Sequence, residues 1–395
     1  MTPGAQHAAV IEILDIIATG TPAAPALTRW ARGHRFAGSG DRRAIRDVVF
    51  SVLRQRRSCA RAGGGADRED TDGRALVLGY LRSQGIDPTT IFSGEGHAPG
   101  KLCPDEQAFE PGPQAAPDPV RLDFPDWLEK PLKSALGPDF EPTMQALRHR
   151  APIFLRVNQK KTDPAGAIVA LAADQIDCTR SPLAPLALEV TGNAARIAAS
   201  KAYLDGLVEL QDASSQAVIA ALDLPRNGRI LDFCAGGGGK ALAMAAESDA
   251  RIFAHDAKPQ RLRDLPARSE RAAAGVRIVD MAGIAKAAPF DLVLCDVPCS
   301  GSGAWRRDPG GKWRLTESDL VALERQQAAI LQSAARLVGP GGGLAYVTCS
   351  ILQSENSGTI RRFLAENNGF EQISTHRFSP VSGGDGMFGA LLKRE

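Results

Sequence analysis

The chain has 395 residues, 44% apolar and 23% charged, which suits two or three globular cores and excludes a disordered or fibrous chain. Seven irregularly spaced cysteines do not make a secreted disulfide framework, no run nears the roughly 20 apolar residues that span a bilayer, and the N-terminus lacks a basic-then-apolar leader, so the expectation is a soluble, cytoplasmic protein with no membrane partner. The net charge of +2 hides an imbalance: residues 1–62 carry +6 and residues 63–118 carry −6, which leaves room for a basic surface facing a polyanion.

In chain order, "DRRAIRDVVFSVLRQRRS" places Ile45, Val48, Val49, Val52 and Leu53 on one helical face. Arg42, Arg43, Arg46, Arg54, Arg56 and Arg57 crowd the rest, as a solvated face or a contact for nucleic-acid phosphates. Residues 87–119 are rich in proline, glycine and acid, and read as a long acidic linker that buries little. A helix is expected after Asp126, then strands in "PIFLRVNQ", "ADQIDCTRSPLAPLALEVTG" and "DGLVELQD", with a helix in "PAGAIVALAADQ". This predicts a helical domain with its linker over 1–118, a helix plus small α+β unit over 119–210, and a third domain over 211–395.

In that third domain "GRILDFC", "RIFAHD", "VRIVD", "FDLVLCD" and "GGLAYVTC" are apolar runs separated by helical patterns. The alternation predicts an α/β fold with a parallel sheet covered on both faces, closed by "FEQIST" and "MFGALLKR" as a terminal hairpin. Pro266 should shorten or kink the helix after Asp256. The first strand runs into "CAGGGGK", glycines at a strand-to-helix turn that let backbone approach a ligand. A phosphate loop fails at Cys234 and Ala241, which leaves a dinucleotide or a nucleoside such as S-adenosylmethionine. Asp256, 22 residues past Cys234, is placed to accept from ribose hydroxyls. Asp280 and Asp296 end the next two strands, on the edge where such sheets bind ligands, although Asp280 alone reads as a helix cap.

Cys299 follows the fourth strand and Cys349 ends the fifth, so both thiols belong on that edge. A cytosolic setting argues against a disulfide, and neither zinc-ligand nor Cys-x-x-Cys spacing occurs. What remains is a thiol beside a methyl donor. Thiolate addition at carbon 6 of a pyrimidine makes carbon 5 nucleophilic, with Asp296 placed for ring nitrogen 3. Lys240, Arg306, Arg307 and Lys312 are candidates for the positive charge that favours a thiolate.

The pieces "LRVN", "LDGLVELQDASSQ", "LDFCAGGGGK", "CDVPCSGSG" with "RRDP" and "KW", "YVTCSILQSEN" and "DGMF" resemble the Nop/Sun family of RNA cytosine-5 methyltransferases over roughly residues 120–395. The resemblance implies a Rossmann-like S-adenosylmethionine-dependent methyltransferase sheet with a small α+β RNA-binding subdomain. It implies Cys349 as nucleophile and Cys299 as the residue assisting product release; Asp296 and Lys240, placed above by their own chemistry, are expected as further catalytic groups. It places S-adenosylmethionine on Cys234, Ala235, Gly236, Gly237, Gly238, Gly239, Lys240, Asp256, Arg261, Asp280 and Asp296. The family's proline and threonine in this loop are lost, the latter to Ala241, which should weaken cofactor binding. "GDRRAIRDVVFSVLR" resembles the NusB-type all-α RNA-binding domain of the bacterial 16S rRNA members, and the pattern is broken after Cys59. The expected function is cytosine-5 methylation of RNA, 16S rRNA first, by a monomer without a metal, with RNA along the basic helix and "AWRRDPGGKWR". The alternatives are a tRNA methyltransferase and a non-catalytic RNA-binding assembly factor.

Overall fold

The computed structural model describes residues 1–65, 72–110 and 116–395. The chain clusters into two units, Met1–Arg150 with Trp305–Leu315, and Ala151–Ala304 with Thr316–Glu395.

The first unit opens with α1 (Pro3–Ala18), α2 (Ala23–Gly33), α3 (Ser39–Arg54), α4 (Arg56–Ala62) and α5 (Gly73–Ser83). The short α6 (Pro104–Ala108) and α7 (Asp118–Arg121) precede α8 (Glu129–Leu136) and α9 (Phe140–Leu147). The spacing read in α3 holds: Ile45, Val49, Val52 and Leu53 are buried in one core with Ile13, Trp30, Val77 and Leu81. Burying a side chain of this size contributes about 1.5–3 kcal/mol, which fixes the face. Arg42, Arg43 and Arg46 face solvent. Arg54 and Arg57 depart from the expected solvated face and are buried. Arg54 Nε donates to Arg306 O at 2.7 Å, and Arg57 pairs with Asp126 at 2.5 Å.

The stretch expected to be a free linker folds onto this unit where it is described. Ile91, Phe92 and Leu102 enter the helical core. Arg74 donates to the carbonyls of Gly100 and Lys101, both at 3.0 Å, and pairs with Glu106 at 2.7 Å. A few well-placed apolar residues and one arginine satisfying backbone carbonyls suffice to dock a polar stretch. Its residues 111–115, and residues 66–71 within the break after Cys59, lie outside the described residues.

The second unit begins with β1 (Ile153–Val157), α10 (Pro164–Ala173), β2 (Asp177–Arg180), β3 (Ala187–Gly192), α11 (Lys201–Leu204) and β4 (Val208–Leu210). These strands form an antiparallel sheet in the order β2-β3-β1-β4, covered by Ala167 and Leu171 of α10. Next come α12 (Ala213–Ala220), β5 (Arg229–Asp232), α13 (Gly239–Glu247), β6 (Arg251–Ala254), α14 (Leu265–Arg271), β7 (Arg277–Ile278), α15 (Met281–Ala287) and β8 (Phe290–Asp296). After α16 (Pro309–Arg314) follow α17 (Glu317–Ala335), β9 (Val338–Thr348), α18 (Ser357–Glu366), β10 (Phe370–Phe378) and β11 (Met387–Arg394). The large sheet has the order β10-β11-β9-β8-β5-β6-β7. Strands β5 to β9 run parallel, and β11 inserts antiparallel between β9 and β10. Along β8, Leu292 and Leu294 enter one core while Val293 and Cys295 enter the other, the signature of a sheet covered on both faces. Pro266 neither shortens nor kinks a running helix. It sits in the first turn of α14, where its missing N–H costs nothing.

Residues Trp305–Leu315, expected as an exposed RNA contact, are held inside the helical unit. Trp305, Arg306 and Lys312 are buried, while Arg307 is exposed. The reason is local. The last carbonyls of α3 have no helical partner. Trp313 Nε1 donates to Leu53 O at 2.7 Å, and Lys312 Nζ to Arg54 O at 3.3 Å. Burial pushes Lys312 down to about 8, against the opposing pull of Asp123.

Candidate active site

The loop from β5 to α13 is built on glycine. Gly236 and Gly238 sit at φ +54° and +81°, the left-handed region that lets the chain fold tightly under the first turn of α13. Gly236 N–H donates to Asp256 Oδ2 at 2.9 Å, and Ala235 N–H to His255 O at 2.8 Å, so the loop is pinned to the end of β6. From the small sheet, Arg156 donates to Gly239 O at 2.8 Å and to Gln211 Oε1 at 2.7 Å. Gly237 O accepts from Arg268. Ala241, in place of the family's threonine, is fully buried in α13, and the loop keeps its turn without that hydroxyl.

Beside the loop lies a cavity of about 920 Å³ lined by Phe233, Cys234, His255, Asp256, Arg261 and Asp280, with Met281, Pro298 and Ile330 among the remaining walls. Asp256 is buried and pairs with Arg261 at 3.3 Å. Asp280 does both things the sequence suggested: it lines the cavity and caps α15, accepting from Gly283 N–H at 2.8 Å. An apolar slot with carboxylates at two strand ends fits a nucleoside, the apolar walls for the base and the carboxylates for the sugar hydroxyls. Burial pushes the Cys234 thiol up to about 12. Beneath the loop, burial and then the charge of Asp296 push Asp232 up to about 8, which keeps it a neutral acid.

Beyond β8 and β9, the register pairs Asp296 with Val347, and the two following turns bring Cys299 Sγ to 3.4 Å from Cys349 Sγ. Lys240 Nζ donates to Asp296 Oδ2 at 2.6 Å. Burial disfavours the Lys240 charge, but Asp296 outweighs it and Cys349 adds to the pull, so the ammonium is held. The hydrogen bond to Cys349, then burial, then the charges of Cys349 and Glu355 drive the Cys299 thiol well above its ordinary value. Of the four cations named from sequence, Lys240 is coupled to a cysteine of the pair, whereas the electrostatic neighbours of Lys312 are Asp123, Arg148 and Arg54. Cys295 faces a sheet core and is fully buried. Among the described residues no cluster of His, Cys, Asp and Glu could hold a metal ion, and no helix is long and apolar enough to cross a membrane.

Sequence reasoning missed Arg156, His255 and Glu355. An arginine inside the apolar alternation of "PIFLRVNQ" was the available signal for the first. His255 sits one residue before an aspartate already singled out, at the same strand end.

The helical unit carries a separate surface. A cleft between α2 and α3 is lined by Arg32, Arg35, Arg42, Arg43 and Arg46 and by no acidic residue. The nearby Asp41 is occupied by the N-terminal amine at 3.0 Å and by Gln6 at 2.9 Å.

The pattern of the family "16S rRNA methyltransferase RsmB/F" matches residues 219–389, and that of the RsmF/B-like ferredoxin-like domain matches residues 124–195. Ribosomal RNA small subunit methyltransferase B of Xylella fastidiosa is 31% identical over 69% of this chain and 67% of that protein. Its counterpart in Pasteurella multocida is 33% identical over 68% of this chain and 65% of that protein. Among solved structures, PH0851 superposes with a TM-score of 0.76 at 22% identity, covering 100% of this chain and 99% of that one. A methyltransferase homolog protein from Pyrococcus horikoshii gives a TM-score of 0.62 at 23% identity, covering 70% of this chain and 98% of that one. These likenesses give the fold, a Rossmann-like methyltransferase sheet with an added small sheet and N-terminal helices. The sequence relatives go further than fold, and by them the chain belongs to the 16S rRNA methyltransferase RsmB/F family.

Proposed function

We propose that this protein methylates carbon 5 of a cytosine in 16S rRNA through a covalent adduct between Cys349 and carbon 6. The observation that carries the reading is the contact of two thiols, 3.4 Å apart, at neighbouring strand ends beside the Lys240–Asp296 pair. Bound in the cavity against Asp256, Asp280 and the glycine loop, S-adenosylmethionine would supply an electrophilic methyl group. The chain's own residues do the rest. Cys349, coupled to the Lys240 ammonium, adds as thiolate to carbon 6. Asp296, steered by Lys240, faces ring nitrogen 3 and steadies the charge that develops there. Carbon 5 would take the methyl group as the donor's sulfonium becomes a neutral thioether; water takes the carbon-5 proton, and the electron pair left behind restores the ring double bond and expels Cys349 as thiolate. Cys299 keeps its proton in the resting site and touches the departing sulfur, which suits it to assist that release.

The target base must leave its stack to meet a thiol at a sheet edge. The arginine cleft of α2 and α3 suits RNA phosphates, and we assign the helical unit and residues 124–195 to RNA recognition.

Incubation with labelled methyl donor and unmethylated 16S rRNA or tRNA tests the reading. Transfer to a single cytosine of 16S rRNA is expected. Cys349→Ser should lose more than about 1,000-fold in rate, the scale seen when a nucleophile is removed. Cys299→Ala should accumulate a protein–RNA adduct on a denaturing gel. Transfer to tRNA alone overturns the substrate, RNA binding without transfer overturns the activity, and an active Cys349→Ser beside a dead Cys299→Ser reverses the two roles.

A further inference from the structure

Each cysteine of the pair is followed by a serine, and both serines end on one carboxylate. Glu355, fully buried, accepts at Oε2 from Ser300 Oγ and from Ser350 Oγ, each at 2.5 Å. At Oε1 it accepts from Ser300 N–H at 2.8 Å and from Gln327 Nε2 at 2.9 Å. Two donors on each oxygen fill the four acceptor sites of a carboxylate. Gln327 Nε2 also lies 3.0 Å from Pro298 O, the carbonyl just before Cys299. The Tyr346 hydroxyl lies 2.6 Å from Glu355 O and 3.2 Å from Gln327 Oε1, holding the glutamate from behind.

This tie lies where the sheet ladder has run out. The β8–β9 ladder ends at Asp296 and Val347, with one further bond from Val297 N–H to Val347 O. Beyond it Gly303 N–H donates to Cys349 O at 2.9 Å and Ser302 Oγ accepts from Ile351 N–H at 2.9 Å, and the Glu355 carboxylate adds the tie made at the two residues that directly follow the cysteines. We infer that Glu355 is a positioning residue that locks both cysteine turns to one point and so sets the Sγ–Sγ contact, with Gln327 orienting it. The inference rests on the reading of Cys299 and Cys349 as the working pair. It goes beyond that reading in assigning a shared cause to their spacing, and it explains why both cysteines carry a serine on the same side.

The carboxylate has a second effect on the pair. Its charge helps hold the proton on Cys299, together with Cys349. Tyr346 is the further titratable group coupled to Cys299. The two cysteines are thereby unlike: Cys349 couples to a cation and Cys299 to an anion.

The test uses the full chain. Glu355→Gln keeps the size but removes the charge. It should cut kcat about 100-fold with KM for the methyl donor within about 2-fold. Alkylation of Cys299 by iodoacetamide, read peptide by peptide in the mass spectrometer, should shift its pH midpoint downward, since the anion that disfavoured its thiolate is gone. Glu355→Asp keeps the charge but is one methylene too short to reach both turns, so it should not rescue kcat. Ser300→Ala and Ser350→Ala should each lose about 10-fold, and neither should lower the rate further when added to Glu355→Gln. Wild-type kcat with an unchanged Cys299 profile in Glu355→Gln overturns the inference. So does a full multiplicative loss in the combined variants. Should Glu355→Gln fail to fold, Ser300→Ala and Ser350→Ala decide alone: independent, multiplicative losses between them overturn it. If the wild type methylates no RNA yet Glu355→Gln still shifts Cys299 alkylation, the proposed reaction falls while the positioning role stands.

Discussion

Replacing Arg42, Arg43 and Arg46 of the α2–α3 cleft by glutamine removes three positive charges from a wall that has no acid among its residues. All three side chains face solvent. Arg46 makes a 3.4 Å pair with Asp47, but both members are about half exposed, so breaking it should cost under about 1 kcal/mol. Glutamine is nearly as good a helix former as arginine, so α3 should persist. Each phosphate contact to a single strand contributes about −0.7 to the slope of log K against log salt. Three lost contacts should therefore flatten the slope by about 2. Referred to 1 M salt, where the electrostatic contribution vanishes, the same contacts are worth about 50-fold in affinity at 0.15 M. The assay is fluorescence anisotropy with a labelled 16S rRNA fragment, titrated from about 0.05 to 0.4 M salt. Far-ultraviolet circular dichroism confirms the helices. A slope unchanged within about 0.5, with the fold intact, would refute the assignment of this cleft to RNA phosphates.

Three other outcomes are expected. Lys240→Met removes a charge-assisted hydrogen bond at 2.6 Å, worth about 1.5–3 kcal/mol, so single-turnover methyl transfer should slow by about 10- to 150-fold; a rate within 2-fold would count against the Lys240–Asp296 pair. Gly238→Ala places a Cβ 2.3 Å from Leu265 Cδ1 at φ +81°, costing at least about 1–2 kcal/mol, and should lower the melting temperature by at least about 3 °C and weaken methyl-donor binding in calorimetry. Lys312 is pushed down to about 8 from its ordinary 10.5, so between those pH values the unfolded chain binds a proton that the folded one has lost. Stability should then rise by about 3 kcal/mol across that window in the wild type relative to Lys312→Met, and urea unfolding curves that run parallel with pH would contradict it.

The large sheet was legible because the parallel strands β5, β6, β8 and β9 are apolar on both faces, and runs such as "FDLVLCD" have few other stable fates. The strand ends carrying Asp256, Asp280 and Asp296 followed from that, as did the neighbouring places of Cys299 and Cys349. The fate of charged residues in helices was not legible. Arg54 and Arg57 read as surface from their type, yet they are consumed by partners 252 and 69 residues away in sequence. Lys312 and Trp313 are spent on two unpaired helix carbonyls, which no local pattern announces. The same holds for Glu355, whose importance comes from two serines 50 residues apart that converge only once the sheet has formed.

The excursion Trp305–Leu315 makes the two units inseparable as genetic pieces. The chain leaves the second unit after Ala304, completes the first, and returns at Thr316. A fragment beginning near residue 151 would carry Trp305 and Lys312 with no interior to receive them, and a fragment ending near residue 150 would lack the donors that finish α3. Neither piece is a transferable module, so recombination that swaps one half of this gene for that of a relative must carry the Trp305–Leu315 codons along with the helices they complete. The protein is inherited as one interleaved unit rather than as two pieces joined end to end.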